Sequence, residues 1–246
     1  MTSVSDYYDR YHQQEVRSFD LVHFRDPLVY AVLDAAIAPG ARCLDIGCGD
    51  GHAVGPWARR RGLEYVGVDI APSAVEQARA QGHDARLIED SASLPFDGGT
   101  FDAVTCLEVA EHLFDPMATL VEAVRVLRPG GVLCVSTPNV AYWRRRADLA
   151  LLGRWNPLGY SLAVDQPWGD PHIRFFNPGS LSRLIARAGT ENVRVSGTGG
   201  GLLLDVPWLG GRLRARGHHA SPAYRALQTA APSFFGCFML ATGRKP

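Results

Sequence analysis

The stretch Cys43-Leu44-Asp45-Ile46-Gly47-Cys48-Gly49-Asp50-Gly51 decides how the chain folds. The apolar run from Ala41 to Ile46 reads as a short buried strand, three glycines on alternate positions end it, and a helix is expected over His52 to Arg61. Glycine permits the sharp turn and lets a ligand approach the backbone with no Cβ in the way. A helix start just beyond would offer unpaired N–H groups and a positive dipole end. Together these features put a small anionic or polar ligand at the end of the first strand.

Spacing narrows the choice. A dinucleotide fingerprint, G-x-G-x-x-G, needs its third glycine where His52 stands, whereas Gly47, Gly49 and Gly51 follow G-x-G-x-G. Asp45, two residues before the first glycine, could receive an ammonium group rather than a phosphate. Leu63 to Asp69 reads as a second strand ending in an acid, where doubly wound folds place the residue that takes a ribose diol. A carboxylate can accept from two adjacent hydroxyls, although it can also cap the helix expected over Ala71 to Gln81. A third strand, Ala85 to Glu89, is followed by Asp90-Ser91-Ala92 and Leu94-Pro95-Phe96. Thr100 to Leu107 is a fourth, and Val132 to Thr137 a fifth after the turn Arg128-Pro129-Gly130-Gly131. Strands alternating with helical runs imply right-handed βαβ units and a parallel sheet.

The order of these acids and glycines, with F-D-A-V from Phe101 and R-V-L-R-P-G-G from Arg125, resembles the class I S-adenosylmethionine (SAM) dependent methyltransferases from about Leu33 to Thr137. The resemblance implies an α/β, Rossmann-like fold: a seven-stranded, mostly parallel sheet with an antiparallel last strand and helical inserts. It also implies SAM as cofactor, bound by Asp45, Gly47, Gly49, Gly51, Asp69, Ile70, Asp90, Ser91 and Leu107. Asp69 would take the ribose, and Asp90 with the N–H of Ser91 the adenine.

The 246 residues suit one such domain, and 25 basic against 25 acidic side chains argue against a nucleic-acid partner held by a broad basic surface. Of the five cysteines, Cys43, Cys106, Cys134 and Cys237 lie in strand-like runs and Cys48 in the glycine loop. None has C-x-x-C spacing, so buried reduced thiols in a cytoplasmic enzyme are expected. No apolar run approaches the ~18 residues that span a bilayer.

At the carboxyl ends of the strands three segments are chemically loaded: Glu108-Val109-Ala110-Glu111-His112, Thr137-Pro138-Asn139, and Asp170-Pro171-His172-Ile173-Arg174-Phe175-Phe176. If the first opens a helical turn, Glu108, Glu111 and His112 share one face. E-x-x-E-H and H-I-R-F-F resemble the ubiquinone-pathway catechol O-methyltransferases and, more distantly, the small-RNA 2′-O-methyltransferases. Carried over, the resemblance makes Glu108, Glu111, His112 and His172 ligands of a divalent metal (magnesium, manganese, iron or zinc), with His112, His172 and Glu111 catalytic. Alternatively these side chains only line the cleft, His112 is a general base and His172 bonds a loop.

The expected organisation is a single SAM-dependent methyltransferase domain over 1–246, with N-terminal cap helices (1–40), a SAM-binding core (41–137) and acceptor-side inserts (141–172 and 197–235). In the first 25 residues, Tyr7, Tyr8, Tyr11, Phe19 and Phe24 suit either a helix folded over the ligand cleft or one packed on the sheet. Helices are expected over Pro27 to Ala38 and Gly179 to Ala188, and strands six and seven over Glu191 to Ser196 and Cys237 to Thr242. The inserts carry Trp143, Arg144-Arg145-Arg146, Trp155, Tyr160, Trp168, Leu202-Leu203-Leu204, Trp208, Arg212, Arg214, Arg216 and His218-His219. Their aromatics suit a planar or hydrophobic small-molecule acceptor; their arginines suit an acidic substrate group, solvent or a homodimer contact. The expected function is methyl transfer to a hydroxyl oxygen of a phenol, sugar or natural-product intermediate. The rivals are metal-independent N- or C-methylation with a histidine base, and a non-catalytic SAM-binding partner protein.

Overall fold

A computed structural model describes residues 4–13, 26–154, 171–199 and 222–246. Its strands are β1 (Arg42–Ile46), β2 (Glu64–Asp69), β3 (Ala85–Leu87), β4 (Phe101–Leu107), β5 (Leu127–Pro138), β6 (Glu191–Thr198) and β7 (Phe238–Arg244), in the sheet order β3-β2-β1-β4-β5-β7-β6. The β1–β2, β1–β4, β2–β3 and β4–β5 pairs are parallel, and β7 runs against both β5 and β6. The expected architecture is therefore met. Strand order reverses between β1 and β4, so a crevice opens above Ile46 and Leu107, where doubly wound sheets bind ligands.

The helices are α1 (Val4–Gln13), α2 (Asp26–Ala36), α3 (Gly55–Arg60), α4 (Pro72–Ala80), α5 (Pro116–Val126), α6 (Trp143–Leu152), α7 (Pro178–Arg187), α8 (Pro222–Ala230) and α9 (Pro232–Phe235), with a 3-10 turn at Ala110–His112. Strand alternation sends neighbouring side chains to opposite faces. Leu44, Val104, Leu133 and Val135 pack with Leu120 and Ala123 of α5 and Leu181 and Ile185 of α7. Cys43, Ala103, Val132 and Cys134 pack with Val29 and Leu33 of α2 and Trp57 of α3. Both faces are covered, which is why the central strands read as nearly unbroken apolar runs. Truncating fully buried Leu44 or Leu133 to alanine would cost about 2–5 kcal/mol.

Besides shifts of one or two residues at other element ends, three boundaries differ from the sequence reading. The helix after the glycine loop starts at Gly55, not His52, because Gly51 to Val54 form a turn and Pro56 sits in the first helical turn. Strand β3 spans three residues. Strand β5 starts at Leu127, not Val132: Leu127 pairs with Phe101, and the Arg128–Gly131 turn is drawn into a ladder by Gly130 N–H to the Lys245 carbonyl and Lys245 N–H to the Gly131 carbonyl. Helix α6 opens the first insert. Trp155, Tyr160, Trp168, Leu202-Leu203-Leu204, Trp208, Arg212, Arg214, Arg216, His218-His219, Phe19, Phe24 and Asp170 lie outside the described residues. Cys43, Cys48, Cys106 and Cys134 are buried free thiols, whereas Cys237 is only half-buried. Burial, joined at Cys106 by the charge of Glu111, pushes the Cys106 thiol up; burial alone pushes Cys134 up to about 12. Among the described residues no helix is long and apolar enough to cross a membrane.

Candidate active site

Gly47, Gly49 and Gly51 all adopt positive φ (68°, 55° and 81°), which explains their alternate spacing. Gly47 N–H and Cys48 N–H both donate to the Val68 carbonyl, turning the loop over the end of β2. A Cβ on Gly47 would lie 2.3 Å from Cγ2 of Val109, so the loop and the E-x-x-E-H segment touch where only glycine fits.

Asp45 is 2% exposed, and its two oxygens accept from Thr105 Oγ1 (2.7 Å) and Tyr65 OH (3.1 Å). Its charge, added to burial, pushes the Tyr65 phenol up, so that phenol stays a donor. Asp69 accepts from Gly49 N–H (2.9 Å) and Ala71 N–H (2.9 Å), tying the glycine loop to the start of α4. Of the two sequence readings of this acid, the bond from Ala71 N–H meets the one that ties it to the next helix, and each oxygen keeps a lone pair that a hydroxyl could use. Ile70 packs against the core and offers its carbonyl to Ser5 Oγ (2.7 Å); Leu107 is buried at the end of β4. Asp90 accepts from Ala92 N–H (2.8 Å) on the surface, while Ser91 Oγ meets Thr119 Oγ1 (2.8 Å) inside. Glu122, held low by Arg125 despite some burial, accepts from Leu94 N–H (2.9 Å), and Arg125 reaches the Leu94 and Phe96 carbonyls. The loop over 90–96 is thus clipped to α5.

The E-x-x-E-H segment departs from expectation. Glu108 takes φ 57°, and the only turn is the 3-10 one at Ala110–His112, so Glu108 does not share a helical face with Glu111 and His112. Its N–H donates to the Ser136 carbonyl (3.0 Å), and its Oε1 accepts from Ser136 Oγ (2.7 Å). Glu111, His112 and His172 come together instead, with donor atoms within 4.8 Å of one another. Ile173 and Arg174 N–H groups both donate to the Glu111 carbonyl, which docks the segment after Pro171 and delivers His172. The imidazoles of His112 and His172 lie 4.4 Å apart between centroids, and Nδ1 of His112 faces the Pro171 carbonyl at 3.3 Å. Glu111 is 1% exposed, and neither carboxylate oxygen has a hydrogen-bond partner among the described residues. A carboxylate so placed is costly unless a cation balances it, and one carboxylate with two imidazoles suits a first-row divalent metal. Helix α1 lies over this end: Ser73 N–H donates to Asp9 Oδ1 (2.7 Å), and Tyr8 stands edge-on to His112 at 5.7 Å. Of the two readings of the N-terminal stretch, α1 therefore follows the one over the cleft.

Sequence reasoning missed Thr105, Tyr65 and Ser136. Thr105 and Ser136 lie on the strand face shared by Ala103 and Cys134, so period-two counting along β4 and β5 could have found them.

A doubly wound sheet with a G-x-G-x-G turn, a second-strand acid and an acid–imidazole cluster over its switch point defines a class I SAM-dependent methyltransferase. The family described as "Methyltransferase domain" matches residues 44–135. The ubiquinone biosynthesis O-methyltransferase of Xanthomonas axonopodis pv. citri is 34% identical over 206 residues, covering 79% of this chain and 78% of that protein. Its counterpart in Xanthomonas oryzae pv. oryzae is 36% identical over 198 residues, covering 76% and 74%. Among solved structures, a SAM-dependent methyltransferase of Thermotoga maritima shares the fold with a TM-score of 0.66 at 19% identity, covering 99% of this chain and 100% of that one. Phosphoethanolamine N-methyltransferase 2 of Haemonchus contortus, solved with S-adenosyl-L-methionine, gives 0.66 at 16% identity over 100% of this chain and 60% of that one. The chain belongs to the SAM-dependent methyltransferase family that includes the ubiquinone biosynthesis O-methyltransferases.

Proposed function

We propose that this enzyme methylates a hydroxyl oxygen of a small-molecule acceptor, with a divalent cation held by Glu111, His112 and His172. The carrying observation is the Glu111 carboxylate, buried beside two imidazoles and without a hydrogen-bond donor among the described residues. The naming of the Xanthomonas relatives as O-methyltransferases supports oxygen as the acceptor atom. A bound cation would hold neighbouring acceptor oxygens and lower the pKa of the one to be methylated.

The chain's own residues do the rest. Glycine loop, Asp45 and Asp69 would hold the cofactor, and placing its methyl group against the acceptor can be worth about 7–11 kcal/mol. With Nδ1 of His112 donating its N–H to the Pro171 carbonyl, Nε2 is the basic nitrogen of the neutral ring. Tyr8 of helix α1 stands against one edge of that imidazole. The same tautomer suits the second reading, in which His112 alone takes the acceptor proton. The four buried thiols support a cytoplasmic, reducing setting.

Purified enzyme, exhaustively chelated, is assayed with small phenols bearing adjacent hydroxyls, and product connectivity is read by NMR. Loss of activity, restored by one of magnesium, manganese, iron or zinc, is expected. Full activity after chelation contradicts the cation, and an N- or C-methylated product contradicts the acceptor atom.

A further inference from the structure

Behind the glycine loop, three glycines make room for one ring stack that the cofactor contacts described above do not use. A Cβ on Gly51 would lie 2.6 Å from Cδ2 of His83, and one on Gly55 2.4 Å from its Cε1, so the imidazole lies flush against the backbone of both. His83 as a residue is 9% exposed. Tyr65 stands edge-on to it with centroids 5.5 Å apart, and the Tyr65 hydroxyl donates to Asp45, which Thr105 braces from the other side. A Cβ on Gly67 would in turn meet Cys48 Sγ at 2.7 Å and Tyr65 OH at 2.9 Å, so this layer has no slack.

The turn that carries His83 is itself clamped. Arg59 donates to the Gln81 (2.9 Å) and Gly82 (3.3 Å) carbonyls, and His83 N–H donates to Ala78. We infer that His83 is a positioning residue for the cofactor: its ring wedges Gly51 and Gly55 into place and, through Tyr65, fixes the Asp45 carboxylate.

The neutral imidazole is the form that fits. Burial and the Arg59 guanidinium depress its protonation, and the Asp50 carboxylate offsets them only in part. Tyr65, the other titratable ring against it, stays protonated. Acidification below the ordinary histidine value of 6.5 therefore works against the packed loop, and cofactor affinity should weaken with it.

S-adenosylhomocysteine binding to the full chain is measured by calorimetry between pH 5.5 and 8, which needs neither acceptor nor turnover and so stands apart from the acceptor and cation readings. His83→Ala is expected to weaken binding at least tenfold at pH 7.5, with the catalytic loss in KM for SAM rather than in kcat. His83→Phe, which keeps a flat, slightly larger ring that cannot titrate, is expected to bind more tightly than the alanine variant at pH 7.5 and to lack the acid-side loss that wild type shows. Unchanged affinity in His83→Ala, or an acid-side loss in His83→Phe equal to wild type, overturns the inference; if the alanine variant fails to fold, the phenylalanine variant decides alone.

Discussion

Nε2 of His172 stands 3.7 Å from Oε1 of Glu111, near enough for charge to matter and too far for a hydrogen bond. Glu111 comes from a 3-10 turn after β4 and His172 from the segment before α7, and the Glu111 carbonyl joins the two by accepting from Ile173 and Arg174. Backbone bonds therefore hold these side chains close while the carboxylate itself gains no donor among the described residues. A buried carboxylate left in this way costs stability that hydrogen bonds from the described residues do not offset.

Glu111→Gln separates those two roles. Neutralising a buried carboxylate that lacks donors should leave thermal stability unchanged or raise it. Activity should fall about a hundredfold or more, the order found when one electrostatic stabiliser is removed. A melting curve beside an initial-rate assay checks both; a destabilised but active variant would show that Glu111 is a structural group.

Gly47→Ala should fail for two reasons that a second substitution can part. Its φ of 68° costs about 1–2 kcal/mol for a residue with a Cβ, and that Cβ would collide with Val109. Adding Val109→Ala should recover the collision share and leave the backbone share. Urea titrations of the three chains give the comparison, and full recovery would mean that the left-handed turn is not needed.

Asp69→Ala should weaken SAM binding by about 1–3 kcal/mol, roughly 5- to 150-fold, through lost hydrogen bonds to the ribose. The same carboxylate accepts from Gly49 and Ala71, so Asp69→Asn is the needed control. Calorimetry with SAM measures it, and unchanged affinity would remove Asp69 from the ribose.

Asp50 supplies a pH dependence that can be signed. Burial raises its carboxyl, but the His52 hydrogen bonds and charge, helped by Gln81, outweigh it and bring the value from 3.8 to about 2. A carboxyl lowered by folding stabilises above its unfolded value and loses that contribution as pH falls from about 3.8 through about 2. Asp50→Asn should flatten this limb of the stability curve in acid denaturation followed by circular dichroism. A variant that follows the wild-type curve would place the acid sensitivity elsewhere.

What the sequence disclosed was whatever local geometry dictates. Gly47, Gly49 and Gly51 announce positive φ because few other residues tolerate it, and the acid of Asp69 at a strand end is visible from spacing. Glu108 was misplaced for the opposite reason: its left-handed backbone and its bond to Ser136, 28 residues away, depend on the β4–β5 register. His83 was silent too, since nothing local marks a ring that fills space left by Gly51 and Gly55. The early start of β5 likewise rests on Lys245, at the far end of the chain.

Crystals of the enzyme grown with S-adenosylhomocysteine and soaked in manganese, measured for anomalous scattering, test the central assignment most directly. The expected map shows one strong peak bounded by Glu111, His112 and His172, with the cofactor lying over Asp69 and the glycine loop and its sulfur turned toward that peak. A peak away from these three side chains, or a sulfur facing away from them, contradicts the assignment of this cluster as the site of methyl transfer.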